Sequence, residues 1–248
     1  MERDDQSGLA TFFAAEIPPP GGTCVLADDA AHHMRVRRIA LSERVRLTDG
    51  MGSRAVGAVV RLTKAQAAVQ VEEVATVDPP AAVHLLVPIA DRDRMLWLAE
   101  KSVELGASTW RPVLWRRSRS VSPRGEGTTF QGKVRARMVA ALEQSGGAWL
   151  PSIYPDAPLD RAIAATPAGS RVLLDAAGED VRGLRLPAPL SVAIGPEGGL
   201  DPEERRQLLA AGFIPVAVAD NILRFETAAV VGLAFARAAV RDPHGGSA

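Results

Sequence analysis

The chain changes rhythm at Asp78-Pro79-Pro80, and that change demands two different architectures. Before it, apolar runs are short and broken by turn residues. Residues 12–17 and 23–26 read as strands separated by Pro18-Pro19-Pro20-Gly21-Gly22. Residues 28–38 read as a short helix. Residues 44–48 alternate apolar and charged side chains and meet the turn signal Asp49-Gly50. Residues 54–62 and 66–74 suit a hairpin around 63–65. Residues 1–77 are therefore expected to form a small, mostly β, barrel-like module, its first ten or so residues a loose tail.

From residue 82 strand and helix alternate. Residues 83–89, 110–115, 172–174, 191–194 and 214–218 read as strands, and 91–105, 129–145, 202–211 and 226–240 as helices. Met95, Leu98, Ala99, Ser102 and Val103 share one face of the first helix, which Gly106 stops. Gly146-Gly147 stops the helix that carries Val134, Met138, Ala141, Leu142 and Ser145. Such alternation implies a largely parallel sheet covered on both faces over residues 78–248, with ligands beyond the carboxyl ends of strands.

Two segments lie at such ends. Gly195-Pro196-Glu197-Gly198-Gly199-Leu200 is a glycine turn before a helix. Asn221-Ile222-Leu223-Arg224-Phe225-Glu226-Thr227-Ala228 is a polar loop running into a helix, one β-unit later. Together they suit two loops that meet one ligand from adjacent strand ends. The first lacks the Lys-Ser/Thr of a phosphate loop and the spacing of a dinucleotide fingerprint. Glu197, Asp201, Glu203 and Glu204 crowd the helix start, where a diphosphate would meet repulsion. A neutral or cationic ligand fits better, for instance a sulfonium such as S-adenosylmethionine. The same residues also make a well-capped helix start with Asp201 at the N-cap, Pro202 next and Glu204 closing a capping box. In the second segment, Gly232 sits inside the helix at a cost of about 1 kcal/mol against alanine. It implies a packing reason, such as close approach of another backbone; a tightly packed core helix with a capping pair at its start would look the same. Ala228, Ala229, Gly232 and Ala236 give a small-residue face for another helix or a second subunit.

Formal net charge is zero, yet cations are segregated. Residues 32–64 hold eight Lys/Arg against Glu43 and Asp49, and residues 111–137 hold eight against Glu126. Clustered cations favour a polyanion such as RNA or DNA, although solvated arginines on separate faces would give the same counts. One cysteine, Cys24, excludes an intrachain disulfide framework or cysteine zinc site and suits a reducing, cytoplasmic setting. No apolar run is long enough to span a membrane, and residues 1–7 are charged and polar, unlike a signal peptide. His32 and His33 are adjacent and do not share a helix face, and His84 and His244 are isolated, so no metal site is expected.

In these motifs the chain resembles the bacterial 16S ribosomal RNA uracil-N3-methyltransferases of the SPOUT superfamily, from about residue 12 to 236. Phe12-Phe13, His32-His33 with Arg38, and Asp49-Gly50 resemble the family's N-terminal PUA-like RNA-binding barrel. Lys101, Glu104-Leu105-Gly106, Pro112 and Arg117-Ser118 resemble its K-x-x-E-L-G element and following strand. Glu143-Gln144-Ser145 with Pro151 resembles E-Q-S…P, and the two loops resemble its cofactor loops. The resemblance implies an α/β domain with a trefoil knot, S-adenosylmethionine bound near a homodimer interface, and a uridine of the small ribosomal subunit as substrate. The implied cofactor residues are Leu174, Gly195, Pro196, Glu197, Gly198, Gly199, Val218, Ala219, Ile222, Leu223 and Thr227. His33, Arg35, Arg38, Arg116, Arg117 and Arg119 are implied for RNA. Arg224 is expected either to stabilise the imide anion of the target base or to hold RNA phosphate, with Glu226 accepting a proton or orienting Arg224. The chain departs from the family pattern at Gly147 and Asn221, where arginine is usual, and at Val218-Ala219, where Leu-Gly is usual. Those departures also leave open an RNA-binding or ribosome-assembly factor with altered catalysis, or a methyltransferase for another RNA position.

Overall fold

Strand β1 (Thr11–Phe13), β2 (Thr23–Leu26), helix α1 (Asp28–Val36), β3 (Arg44–Thr48), β4 (Ser53–Leu62) and β5 (Ala67–Thr76) follow the short runs of the first segment. They are seen in a computed structural model that describes residues 8–118 and 128–241. The strands form one sheet in the order β1-β3-β4-β5-β2, antiparallel except for the β1–β3 pair. Register shifts at Val56/Gly57 and Val59/Arg61 curl it into a half-barrel. Phe12, Met34, Val45, Leu47, Val59 and Val69 fill its core. β1 ends at Phe13, short of the expected residue 17. α1 stops before Arg38, which takes φ of 59°. The compact unit built on this sheet also takes in Val139–Leu150. Within it the Glu143 carboxylate accepts the Phe13 N–H at 2.8 Å, and the Trp149 indole donates to Val77 O at 3.0 Å.

The second unit holds β6 (Val83–Pro88), α2 (Arg92–Glu104), β7 (Thr109–Leu114) and the start of α3 (Thr128–Ser145). Then come β8 (Ser152–Ile153), β9 (Ala157–Pro158), α4 (Leu159–Ala164), β10 (Ser170–Asp180), β11 (Leu186–Pro187), β12 (Leu190–Ile194), α5 (Pro202–Ala210), β13 (Ile214–Ala217), α6 (Phe225–Ala239) and β14 (Val240–Arg241). A parallel sheet runs β13-β10-β12-β6-β7-β8, with β9 beside β7. Successive side chains leave opposite faces of each strand. Leu86, Ala193 and Leu173 lie in register and pack with Leu159 of α4 and Leu208 of α5. Leu174 leaves from the other face and meets α6, which packs on α2. Both faces are therefore covered, as the alternation requires. α4 and four two-residue strands have no counterpart in the sequence expectations. Among the described residues no helix is long and apolar enough to cross a membrane.

Candidate functional site

β10 lies between β12 and β13 in the sheet. The two glycine-bearing and polar loops therefore flank one strand end instead of leaving adjacent strands. Between Leu174 and Glu179, β10 slips register against β13, so that Val216 faces both residues. The slip swings Asp175 and Ala176 out of the ladder to form the floor between the loops. A cavity of about 670 Å³ results. Of the expected cofactor residues, Leu174, Gly195, Pro196, Glu197, Gly199, Val218, Ala219, Ile222 and Leu223 line it, as does Arg224. Gly198 and Thr227 do not. A Cβ at Gly198 would lie 2.9 Å from Arg117 O, so glycine there admits the neighbouring backbone. Gly199 holds φ of 71° and donates to Pro196 O at 2.9 Å, closing the turn. Thr227 is exposed on α6.

Several wall residues escaped the sequence reading: Arg94 from α2, Asp175 and Ala176 from β10, and Arg205 from α5. No local motif marks them, because their place depends on sheet order and on the β10 slip. The crowd of acids is also less free than its sequence suggests. Asp201 accepts the Glu203 N–H at 2.9 Å. Buried Glu204 accepts the Asp201 N–H at 3.0 Å and the Arg116 N–H at 2.7 Å. Both complete the expected capping box of α5. Glu197 pairs with Arg94, and Asp175 pairs with Arg205 at 3.0 Å. The expectation of an acidic, phosphate-repelling mouth is thus corrected. The lining is mixed, with its carboxylates compensated by arginines that sequence spacing did not reveal.

Arg224 is the N-cap residue of α6 and is exposed at the rim, without an ion-pair partner among the described residues. Its expected orienting contact with Glu226 is not formed. Glu226 Oε1 lies 3.6 Å from Arg94 Nε instead. Gly232 has a packing reason, as expected, although the neighbour differs. A Cβ there would sit 2.5 Å from Leu174 Cδ1, so the helix makes room for a side chain, not a backbone. Ala229, Gly232 and Ala236 are accordingly buried within the chain itself.

The basic residues fall in both units. His33, Arg35 and Arg38 are exposed on or just after α1. His33 Nδ1 lies 3.9 Å from Glu143 Oε2. Arg116 and Arg117 are exposed after β7, and Arg116 reaches Asp201 at 3.2 Å. Arg119 lies outside the described residues, as does His244. At Gly147, where the family arginine is missing, Thr48 Oγ1 donates to the Gly147 carbonyl at 3.1 Å and Arg54 donates to Gly146 O. Burial and then the neighbouring Arg46 pull the Arg54 guanidinium below its ordinary value. Burial, then Arg111 and Arg237, likewise lower the His84 imidazole, which is 3.1 Å from Thr109 Oγ1. Among the described residues no group of three or more His, Cys, Asp or Glu is placed to hold a metal ion.

A family model described as "RNA methyltransferase domain" matches residues 77–237, and one described as "RNA methyltransferase PUA domain" matches residues 26–72. A Mycobacterium bovis protein named ribosomal RNA small subunit methyltransferase E is 29% identical over 236 residues, 90% of this chain and 88% of that one. Among solved structures, a Legionella pneumophila protein described as a methyltransferase, with the cofactor S-adenosylmethionine bound, aligns with a TM-score of 0.86 at 26% identity, covering 94% of this chain and 99% of the other. The ribosomal RNA small subunit methyltransferase E of Neisseria gonorrhoeae, bound to S-adenosylmethionine, aligns with a TM-score of 0.82 at 26% identity, covering 93% and 97%.

Proposed function

Because this chain belongs to the RNA methyltransferase domain family, we propose that it is an S-adenosylmethionine-dependent rRNA methyltransferase acting on N3 of a uridine in 16S rRNA of the small ribosomal subunit. Its fold is an α/β methyltransferase fold of SPOUT type with an N-terminal PUA-like domain. The observation that carries the reading is the cavity where the loops after β12 and β13 flank the end of β10. Its volume, about 670 Å³, falls in the range of small-molecule sites. The donor set fits a nucleoside sulfonium. Backbone groups of Gly195, Pro196, Val218 and Ala219 can read an adenine. Leu174, Ile194, Leu200 and Val216 offer apolar walls, and no lysine or phosphate loop is present.

Bound there, S-adenosylmethionine supplies an electrophilic methyl group on a sulfonium. The chain's own contribution is positioning and charge. Uracil N3 carries a proton and is stacked or paired, so the base must be turned out toward the rim. Exposed Arg224, which has no ion-pair partner among the described residues, stabilises the imide anion left when that proton passes to solvent. Glu226 acts on Arg94 rather than on Arg224. The half-barrel, with His33, Arg35 and Arg38, and the Arg116-Arg117 segment serve the RNA backbone. The boundary near residue 77, trefoil threading, a homodimer and a cytoplasmic setting belong to the same reading. Ala219 and Asn221 at the cavity favour one other possibility, an RNA-binding factor that has lost catalysis.

Calorimetric titration separates the two. The protein is expected to bind S-adenosylmethionine, and Arg224→Ala to bind it within about twofold, because an exposed side chain contributes little. A folded protein that takes up no cofactor would favour the RNA-binding factor.

A further inference from the structure

Arg94 comes from neither cofactor loop. It lies in the first turn of α2, which Asp91 caps by accepting the Asp93 N–H at 3.1 Å and the Arg94 N–H at 3.2 Å. From that fixed turn its guanidinium lines the cavity and divides between two carboxylates. Nη1 donates to Glu197, in the loop after β12, and Nε lies 3.6 Å from Glu226 Oε1, in the first turn of α6. Resting on the methyltransferase reading, we propose that Arg94 is a positioning residue that latches the two cofactor loops together across the end of β10.

Three observations carry this. The loops leave strands that β10 separates, and among the described residues no hydrogen bond or ion pair joins them directly. A single planar fork reaching both is the tie between them. The Glu226 side chain is only 12% exposed. Its Oε2 is buried and accepts no hydrogen bond among the described residues, so Arg94 is the charge that compensates it. Removing the guanidinium would strand a buried carboxylate beside the site. Arg94 itself is half-buried in the cavity wall, whereas Arg224 is exposed at the rim.

The test uses the full-length protein. Amide hydrogen exchange without ligand reads residues 195–200 and 218–226 in the parent, Arg94→Ala, Arg94→Lys and the double variant Arg94→Ala/Glu226→Gln. The double variant removes the stranded charge and so keeps the fold testable. Exchange in both loops should rise about tenfold in Arg94→Ala and in the double variant, with partial recovery in Arg94→Lys. In methyl transfer to small ribosomal subunits, KM for S-adenosylmethionine should rise about tenfold while kcat moves less. Parent-like exchange of both loops in the folded double variant would overturn the latch. Failure of the parent to bind S-adenosylmethionine would overturn the methyltransferase reading instead, and the exchange data would still decide whether the loops are tied.

Discussion

At the scale of single residues, Gly232 shows how a small side chain in one element shapes a cavity formed by others. Leu174 occupies the space that a Cβ would fill, 2.5 Å away, and lines the pocket with what remains. Gly232→Ala would gain about 1 kcal/mol of helix propensity and lose about 1–3 kcal/mol to overpacking. Leu174 lines the cavity and can yield toward it. The expected outcome is a small loss in urea midpoint together with clearly weaker S-adenosylmethionine binding by calorimetry; stronger binding would refute this role for Leu174. The sequence exposed the anomaly, a glycine inside a helix, without its cause. The cause is a contact between residues 174 and 232, and no local pattern encodes it. Arg94 is harder still, since one of two arginines in a helix start carries no sign of two carboxylates brought to it from distant parts of the chain.

Among elements, local chemistry was legible wherever a helix or strand is decided by its own residues. Asp201, Pro202 and Glu204 set the start of α5, and alternation set β3, both within a residue of expectation. What the helix ends dock against was not legible. Glu143, near the end of α3, is the example. Its side chain is mostly buried and accepts the Phe13 N–H at 2.8 Å. Burial raises its carboxyl above the ordinary value, while the Phe13 N–H and then His33 pull it back. A raised carboxyl in the folded state means that the fold binds the proton more tightly than the unfolded chain does. The desolvated anion therefore costs stability, a cost absent below the ordinary value of 4.5 and fully present above the raised one. Glu143→Gln keeps an acceptor for Phe13 and removes that charge. Its melting temperature relative to the parent should be higher at about pH 7.5 than at about pH 4.5. The opposite trend would mean that the charged form is the one the fold prefers.

For the molecule as a whole, the break at Asp78-Pro79-Pro80 foretold a small β module followed by a parallel α/β sheet, and both are present. Strand order was not foretold. Sequence adjacency suggested that the two loops leave neighbouring strands, whereas β10 lies between them. That insertion supplies the floor of the site, Asp175 and Ala176, and makes room for a ligand the size of a nucleoside. Charge showed the same division. Clustered arginines point to a polyanion, yet which of them are spent on carboxylates, as Arg44 and Arg116 are, depends on the fold. The most direct test of the central claim is transfer of a labelled methyl group from S-adenosylmethionine to small ribosomal subunits, followed by digestion and identification of the labelled nucleoside. Label in 3-methyluridine is the expected result. Label in another nucleoside, or none from a folded protein that binds the cofactor, would contradict it.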